Sequence, residues 1–408
     1  MSRLCRAIFS TAIAVATLLC VAVQAQTFSV LHTFTGANDG GKPQASLTLD
    51  SVGNIYGTVP YGGGNGMGTV FKMTNRSSGW MLTTLYSFTG GSDGAMPLGG
   101  VVFGPDGSLY GDASAGANPA CGNGCGTVFN LKPQPRVCNS TSCPWLETTL
   151  YQFSGGQDGG GPVGNLLFDA AAEIYGATGG SVYKLAPLNP SWRYQLLYSF
   201  NRFGGPSGLR AGVISDTAGS LFGTTSSGGD GNCYRGGPCG TVFELSPVGS
   251  SWRLNVLHNF QGLSDGGYPS GALISDRLGN LYGANTIGVV FMLTPGGGGW
   301  TFNVLYQLQG PCQLLPGSTC GPGGALAMDA SGALYGTAYG FGAYGYGSVF
   351  KLTSSNGSWI YTDLYDFTNG SDGSFPVAGV TLDANGNIYG TTLFGGSSGF
   401  GVVFEITP

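Results

Sequence analysis

The sequence predicts an all-β protein, a seven-bladed β-propeller with four antiparallel strands in each blade. The first observation is a hairpin motif, Asp383-Ala-Asn-Gly-Asn-Ile-Tyr-Gly390 in its last copy, which recurs seven times. The second is a composition of 77 Gly, 42% hydrophobic and 9% charged residues, which is typical of short strands joined by tight turns. The third is a four-strand set that is split between the two termini. The Gly that closes each motif copy falls at Gly57, Gly111, Gly176, Gly223, Gly283, Gly336 and Gly390.

Each repeat predicts four strands in a fixed order. In the first repeat, an apolar strand at 45–50 turns into a strand at 55–59. A Gly-rich loop at 61–68 then leads to a strand at 69–73 and a Trp-led strand at 80–88. The seventh repeat stops at Pro408 after three strands, and an unpaired strand precedes the first repeat at 27–35. We therefore expect the N-terminal strand to supply the outer strand of the blade formed by 377–408, because closure removes open sheet edges. An open solenoid would not explain the split set.

Small residues open the first strand of every set, which predicts that these strands line a crowded central axis. The aromatic residues of each Tyr-Gly and Thr-Val-Phe motif are expected to pack between neighbouring sheets, where each buries on the order of 150–250 Å². The small residues are Ala45, Gly99, Gly164, Ala211, Gly271, Gly324 and Ala378.

An aspartate recurs in the first hairpin turn of every set. Its carboxylate can accept backbone N–H groups of its own turn, so turn chemistry is favoured over catalysis. These residues are Asp50, Asp106, Asp169, Asp216, Asp276, Asp329 and Asp383.

The first 25 residues read as a signal peptide, followed by a single propeller domain at 26–408. Arg3 and Arg6 precede an apolar run at 7–23, and Val23-Gln-Ala25 offers small residues for cleavage. The alternative is a membrane anchor, but no charge cluster follows the run and no later stretch is long enough to span a bilayer. Removing both arginines leaves 13 basic against 20 acidic residues, a net charge of −7. This disfavours nucleic acid as a partner.

Eight cysteines remain after the signal, in four close pairs that favour local disulfides in an exported protein. Metal binding is the alternative, but neither of the two His residues is near enough to suggest a zinc site, and eight cysteines allow 105 connectivities. The expected bridges join Cys121 to Cys125, Cys138 to Cys143, Cys233 to Cys239 and Cys312 to Cys320.

Three motifs together resemble the Gloeo-Verruco (GloVer) tandem repeat of exported bacterial proteins. They are Phe88-Thr-Gly-Gly-Ser-Asp-Gly94, Asn280-Leu-Tyr-Gly283 and Gly68-Thr-Val-Phe-Lys72, and the resemblance covers 27–408. It implies a secreted or surface repeat protein and assigns no catalytic residue. Because Ile406-Thr-Pro408 is not a sorting segment, we expect a periplasmic or released extracellular protein.

Two sets of residues are candidates for ligand binding on the loop-rich face. One is the Asp-Gly turn between repeats, whose carboxylates could hold Ca²⁺ or meet a hydroxylated ligand, although turn geometry alone also explains them. The other is a set of loop aromatics, which suits sugar rings or apolar partners unless the loops bury them. The aspartates are Asp39, Asp93, Asp158, Asp265 and Asp372. The aromatics are Tyr61, Tyr339, Phe341, Tyr344, Tyr346, Phe394 and Phe400.

No nucleophile–base pair stands out in the sequence. We therefore favour a monomeric, non-catalytic propeller that binds a glycan, peptide or envelope partner and needs no cofactor. A hydrolase or lyase acting on polysaccharide and a purely structural surface protein are the alternatives. Outside the repeated turns, the acidic residues are Asp112, Asp230, Asp363, Asp366, Glu147, Glu173, Glu244 and Glu405.

Overall fold

Alternating apolar and polar residues build seven four-stranded antiparallel sheets in the computed structural model of the protein. The structure describes residues 26–134, 145–200, 207–231, 233, 237–262, 264–310 and 320–408. The sheets form the blades of a ring, as the sequence predicts. The signal peptide prediction at 1–25 lies outside the described residues. Within them, no helix has the length and apolar character needed to cross a membrane.

Each blade is numbered in chain order, with its strands given from the axis outward. Blade 1 contains β2 (Thr48–Leu49), β3 (Ile55–Val59), β4 (Thr69–Arg76) and β5 (Gly79–Ser87). Blade 2 contains β6 (Val102–Phe103), β7 (Leu109–Ala113), β8 (Thr127–Pro133) and β9 (Trp145–Gln152), with a 3-10 helix at Pro119–Cys121 between β7 and β8. Blade 3 contains β10 (Pro162–Phe168), β11 (Ile174–Thr178), β12 (Ser181–Leu188) and β13 (Ser191–Ser199). Blade 4 contains β14 (Ile214–Ser215), β15 (Leu221–Thr225), β16 (Thr241–Val248) and β17 (Ser251–Asn259).

The remaining blades follow the same order. Blade 5 contains β18 (Ile274–Ser275), β19 (Leu281–Ala284), β20 (Val289–Gly296) and β21 (Gly299–Gln307). Blade 6 contains β22 (Ala327–Met328), β23 (Leu334–Ala338), β24 (Ser348–Ser355) and β25 (Ser358–Asp366). Blade 7 contains β26 (Thr381–Leu382), β27 (Ile388–Thr391), β28 (Val402–Thr407) and, from the N-terminus, β1 (Thr27–Thr33).

Strand β1 lies antiparallel to β28, so the outer strand of blade 7 comes from the other end of the chain. The register runs from Thr27 opposite Thr407 to Thr33 opposite Val402, with an irregularity between Val30 and His32. The ladder hydrogen bonds of β28 are therefore made on both of its sides, and the final blade has four strands like the rest.

The innermost strands are shorter than the sequence predicts. The expected strand at 45–50 pairs only over Thr48–Leu49, and six of the seven inner strands have two residues. The residues that open these segments, inside β10 in blade 3 and before the inner strand in the other blades, approach the next blade too closely for side chains. A Cβ added to Gly164 would lie 2.0 Å from the Gly212 nitrogen, and one added to Gly324 would lie 2.0 Å from the Gly379 nitrogen. Glycine at these positions is thus required by convergence of the backbones.

The core consists of layers between neighbouring blades. Tyr56 of blade 1 packs among Leu109, Phe129 and Leu131 of blade 2. The glycine of each Tyr-Gly motif lies under the aromatic ring of its cross-strand partner: a Cβ on Gly57 would come within 2.5 Å of the Phe71 ring. The expectation that both aromatics pack between sheets is met, and the motif glycine has a packing reason.

Aromatic stacks join the outer strands of four blade pairs, a feature that the sequence analysis did not identify. The ring centroids are 3.7 Å apart for Phe28 and Tyr365, and 3.8 Å apart for Phe302 and His258, with interplanar angles of 7° in both. Neighbouring blades are therefore held together by aromatic contacts between their outer strands as well as by the core layers nearer the axis. The other two stacks are Tyr151–Tyr194 and Tyr306–Tyr361.

The hairpin aspartates act in their turns as the sequence predicts. Asp383 Oδ1 accepts the N–H groups of Asn385 and Asn387 at 2.8 and 2.9 Å, and Oδ2 accepts the Tyr389 hydroxyl at 3.3 Å. These hydrogen bonds fix the hairpin and also anchor the interblade tyrosine to it.

Two of the four predicted disulfides are present, Cys121–Cys125 and Cys233–Cys239, with Cα–Cα distances of 4.9 and 5.2 Å. Both lie in Gly-rich loops and cover the turn that leads into the next blade. Cys121 Sγ packs on Gly155, and Cys233 Sγ packs on Gly262.

The other two predicted disulfides fall wholly or partly outside the described residues. Cys138 and Cys143 both lie there, so the bridge expected between Cys138 and Cys143 is not among those that the structure shows and stays a prediction. Cys320 is disulfide-bonded, while its expected partner, Cys312, also lies outside the described residues.

Candidate functional site

The loop face of the ring carries the loops between second and third strands and the segments that join consecutive blades. The candidate aspartates of these segments, here called the rim aspartates, are used by their own turns. Asp158 Oδ2 accepts the Ser154 N–H at 2.7 Å and the Tyr151 hydroxyl at 2.9 Å. Burial alone would raise the pKa of Asp158, but hydrogen bonds from Ser154 and Tyr151 hold it below its ordinary value. The other rim aspartates are Asp39, Asp93, Asp265 and Asp372.

The two histidines occupy the position that tyrosine takes in the other turns. The Nε2 atom of His32 lies 3.1 Å from Asp39 Oδ2, and that of His258 lies 3.0 Å from Asp265 Oδ2. Burial lowers the pKa of His258, while Asp265 opposes that shift. Each histidine therefore replaces a tyrosine as the anchor of a turn carboxylate.

The rim aspartates are separate sites and do not converge on one ion. Their oxygens accept turn hydrogen bonds, which compete with cation ligation. Among the residues that the structure describes, no group of three His, Cys, Asp or Glu side chains could hold a metal ion.

The candidate aromatics differ in exposure and in what they pack against. Phe341 is partly buried and packs against the core layer between blades 5 and 6. Tyr61 and Tyr344 are exposed at 41% and 53%. Phe400, exposed at 36%, covers Gly36, where an added Cβ would lie 2.7 Å from its ring. The remaining three, Tyr339, Tyr346 and Phe394, are half-buried and lie near one another.

Two residues outside the candidate list connect these aromatics into one continuous strip. The Phe375 ring lies 5.1 Å from that of Tyr339, 5.7 Å from that of Tyr346 and 6.2 Å from that of Phe394. Lys42 continues the strip, with its Nζ 5.0 Å from the Phe394 ring centroid and 5.8 Å from that of Tyr61. The aromatic strip is thus Tyr339, Tyr346, Phe375, Phe394, Lys42 and Tyr61. It crosses blades 6, 7 and 1, which are neighbours in the closed ring.

Lys42 and Phe375 share an unusual backbone conformation with Met96 and Tyr268. All four precede a proline and have φ between 53° and 58°, a left-handed region that bulky residues seldom adopt. The Phe375 N–H donates to the Tyr346 carbonyl of blade 6 at 2.7 Å, and its own carbonyl accepts from Leu393 of blade 7 at 3.2 Å. The conformation therefore ties adjacent blades together and fixes the side chain on the loop face. The recurring Asp-Gly-x-x-Pro pattern was the available sequence signal, as in 39–43 and 372–376.

A cavity of about 660 Å³, here called the axial mouth, opens where the strip reaches the axis. Hydroxyl groups dominate the polar lining among the described residues, and Arg210 is the charged side chain among them. Ser270 Oγ donates to the Gly323 carbonyl at 3.0 Å, and Thr286 Oγ1 donates to the Tyr268 carbonyl at 3.2 Å. The lining residues are Gln44, Arg210, Ser226, Ser227, Tyr268, Ser270, Thr286, Gly321, Gly323, Tyr339 and Val377.

A second cavity of about 700 Å³, the axial channel, continues below the mouth and shares Gln44, Arg210 and Ser270 with it. Its wall is built from the glycine- and alanine-rich starts of the inner strands, including Gly164 and Gly324. The channel is therefore lined by small residues together with aliphatic side chains such as Leu98 and Ile214. A ligand that enters from the loop face first meets the polar side chains that line the axial mouth.

The acidic residues outside the repeated turns do not line these cavities. Asp363 and Asp366 lie close together on β25. Burial raises the pKa of Asp363 to about 6, and the negative charge of Asp366 contributes to the same shift. Burial raises the pKa of Glu147 to about 7. Glu173 pairs with Lys184 at 2.7 Å. Among the described residues that line the axial mouth and the axial channel, none is Asp, Glu or His.

A ring of seven four-stranded blades around an axial cavity defines the class, a seven-bladed β-propeller built from tandem repeats. The chain belongs to the Gloeobacter/Verrucomicrobia repeat family, whose model matches residues 14–181 and 283–408. This confirms the resemblance drawn from the three motifs. No curated protein matches the chain.

Solved structures share the fold at low sequence identity. Virginiamycin B lyase from Staphylococcus aureus is 13% identical with a TM-score of 0.56, over 94% of this chain and 99% of that one. The extracellular domain of a putative one-component system from B. thetaiotaomicron is 11% identical with a TM-score of 0.55, over 93% of this chain and 40% of that one. The extracellular domain of a putative hybrid two-component system from the same organism is 14% identical with a TM-score of 0.52, over 94% of this chain and 41% of that one. The chain thus spans about two fifths of the two B. thetaiotaomicron chains.

Proposed function

We propose that this chain is an exported, non-catalytic β-propeller that binds carbohydrate through its loop face. The observation that carries the proposal is the aromatic strip from Tyr61 to Tyr339, which ends at the hydroxyl-lined axial mouth. Aromatic faces pack against the apolar faces of sugar rings, and hydroxyl and amide groups bond their edges. The mouth, at about 660 Å³, is within the range of roughly 300–1,000 Å³ that is typical of small-molecule sites.

Two further observations support binding over hydrolysis and export over a cytosolic location. General acid–base cleavage of a glycosidic bond needs a pair of carboxyl groups beside the substrate. The cavity linings described above offer none, and Asp363 and Asp366 lie on an outer strand. The disulfides Cys121–Cys125 and Cys233–Cys239 favour an oxidising compartment.

The test is a glycan array with the protein at 26–408, followed by titration of each glycan that binds. Tyr61→Ala and Tyr339→Ala, at the two ends of the strip, should each weaken binding about tenfold, because loss of one well-packed aromatic contact corresponds to roughly 1.4 kcal/mol. Leu278→Ala is the matched control, since Leu278 is 82% exposed in a turn on the opposite face. Binding that is unaffected by both tyrosine variants, or the absence of any glycan ligand, would contradict the proposal. Capture of a peptide or envelope protein through the same residues would favour those partners instead.

A further inference from the structure

One residue position, repeated once in each blade, carries a charged side chain in blade 4 at the axial mouth. The residue immediately before the small residue that opens each inner strand lines the axial channel in all seven blades. Only the copy in blade 4, Arg210, carries a charge, and it is the only charged side chain among the described residues lining the axial mouth or the axial channel. The seven residues are Gln44, Leu98, Val163, Arg210, Ser270, Gly323 and Val377.

The guanidinium group of Arg210 is held by a short chain of hydrogen bonds. Its Nε donates to Ser226 Oγ at 3.3 Å, and Ser226 Oγ donates to the Gly208 carbonyl at 2.8 Å. Arg210 belongs to none of the ion pairs formed within the described part of the chain. The Arg210 side chain is thus held in place but pairs with no carboxylate of the described residues. A guanidinium group can bind a carboxylate through two parallel hydrogen bonds.

The neighbours of Arg210 suit the rest of a sugar ring. Ser270 and Thr286 each donate their hydroxyl hydrogen to a backbone carbonyl, which leaves their oxygens able to accept hydrogen bonds from a ligand. Ser227, Gln44 and Tyr339 complete that side of the cavity. A ligand with both hydroxyl groups and a carboxylate would use every kind of group present.

The net charge of −7 expected for residues 26–408 does not oppose such a ligand at this position. The rim aspartates accept hydrogen bonds inside their turns, and Asp93 and Asp372 are only 6% and 9% exposed. Charges in solvent are screened over roughly 8 Å at physiological ionic strength. A direct contact with Arg210 is therefore stronger than the attraction or repulsion of distant groups.

We propose that Arg210 makes the axial mouth selective for carboxylate-bearing sugars, the uronic acids of acidic polysaccharides. This inference rests on the proposed carbohydrate-binding function and adds the class of sugar. The carboxylate pairs with the Arg210 guanidinium, while the ring hydroxyls bond Ser270 and Thr286. The aromatic strip then holds the neighbouring residues of the polysaccharide.

The test compares acidic oligosaccharides with their neutral methyl esters at fixed salt. Dissociation constants are measured by calorimetry for oligogalacturonate, oligoglucuronate and the full methyl ester of each. Wild-type protein should bind at least one acid at least tenfold more tightly than its ester. Arg210→Gln should reduce binding of the acid to the level of the ester and leave the ester within twofold. Arg210→Lys should keep part of the preference. Arg277→Gln, the same charge change in a turn of the opposite face, should keep all of it.

The outcomes separate this inference from the proposed function. If wild-type protein binds neutral glycans in a Tyr61-dependent way but shows no preference for acids, only the inference about Arg210 is wrong. A preference for acids that survives Arg210→Gln has the same meaning. If no glycan of any charge binds, both proposals are wrong.

Discussion

The carboxyl group of Asp112 is enclosed in blade 2 at a position where four other blades carry threonine. In blade 1, the Thr58 hydroxyl donates to the Gly99 carbonyl of the next blade at 2.8 Å, and in blade 6 the Thr337 hydroxyl donates to the Ala378 carbonyl at 2.7 Å. Asp112 is 1% exposed, and neither oxygen has a hydrogen-bond partner of good geometry among the described residues. Burial raises its pKa well above the usual range and outweighs the opposing effect of the Gly99 backbone, so the neutral acid is favoured in the fold.

Replacing this carboxyl by the repeat's own residue should stabilise the protein. Because the pKa of Asp112 is raised in the folded state, its contribution to stability is present in acid and declines as pH rises above the unfolded value near 4. Asp112→Thr should therefore increase the free energy of unfolding by about 1–3 kcal/mol at neutral pH, the typical cost of an unsatisfied buried group. The advantage should shrink toward pH 4. Urea unfolding of both proteins from pH 4 to pH 8 measures the difference.

The matched control introduces a carboxyl group where another blade has threonine. Thr58→Asp places a carboxyl at the same position of blade 1 and should destabilise the protein, most strongly at high pH. If Asp112→Thr is less stable than the wild-type protein at every pH, or if its stability depends on pH as that of the wild-type protein does, the Asp112 carboxyl is not a destabilising buried group.

At the scale of one strand pair, the Tyr-Gly motif is a steric requirement as well as a turn signature. In blade 6, Gly336 of β23 lies opposite Phe350 of β24, and an added Cβ would lie 2.6 Å from the ring and 2.9 Å from the Leu326 side chain. Phe350 is fully buried between blades and cannot move outward. The sequence shows the recurring glycine, but the ring above it becomes visible only in the register of the two strands.

We expect Gly336→Ala to destabilise the protein by about 1–3 kcal/mol, since an extra methyl group forces the ring and its neighbours to shift. Phe350→Leu in the same background should recover part of the loss because it removes the clash. Gly297→Ala is the control, as nothing lies within 4 Å of a Cβ at that exposed position. Thermal unfolding of the four proteins measures the effect. Equal stabilities of Gly336→Ala and Gly297→Ala would show that the ring is not held against the glycine.

At the scale of the whole molecule, the number of blades and the origin of the last strand could be predicted from the sequence. The repeat gives the number of strands, and the strand at 27–35 has no partner unless the ring closes. Side-chain placement on the loop face could not be predicted in the same way. Lys42 and Phe375 project from a left-handed backbone that residues before proline normally avoid, so neither was a candidate for the strip.

The axial mouth shows the same limit. Arg210 was not a candidate because it lies in an irregular copy of the repeat, and its cavity forms only when segments of blades 1, 4, 5, 6 and 7 meet at the axis. Phe341, which was a candidate, is partly buried because its ring packs over Gly288 of the neighbouring blade 5. A loop aromatic can be counted from the sequence, whereas its exposure depends on contacts between repeats.

Closure of the ring depends on a small interface between the chain ends. Phe28 of β1 stacks on Tyr365 of blade 6 with ring centroids 3.7 Å apart, and it also contacts Phe367 and Phe404. Phe28→Ala should lower the free energy of unfolding by about 2–4 kcal/mol, somewhat below the usual loss for a fully buried phenylalanine. Its effect should reach beyond the site: amide hydrogens of Thr27–Thr33 and Val402–Thr407 should exchange at least tenfold faster, because the outer strand of the last blade is freed.

Phe302→Ala provides the comparison that makes this outcome specific. Phe302 occupies the equivalent place in blade 5 and stacks on His258 with the same geometry, but no chain end is involved. It should cost a similar amount of stability and leave exchange in Thr27–Thr33 unchanged, since its strand is tethered on both sides by the chain. Hydrogen exchange by mass spectrometry on both variants and wild-type protein distinguishes the two effects. If Phe28→Ala leaves exchange of the terminal strands unaltered, or if Phe302→Ala accelerates it equally, then pairing of β1 with β28 is not the contact that keeps the ring closed.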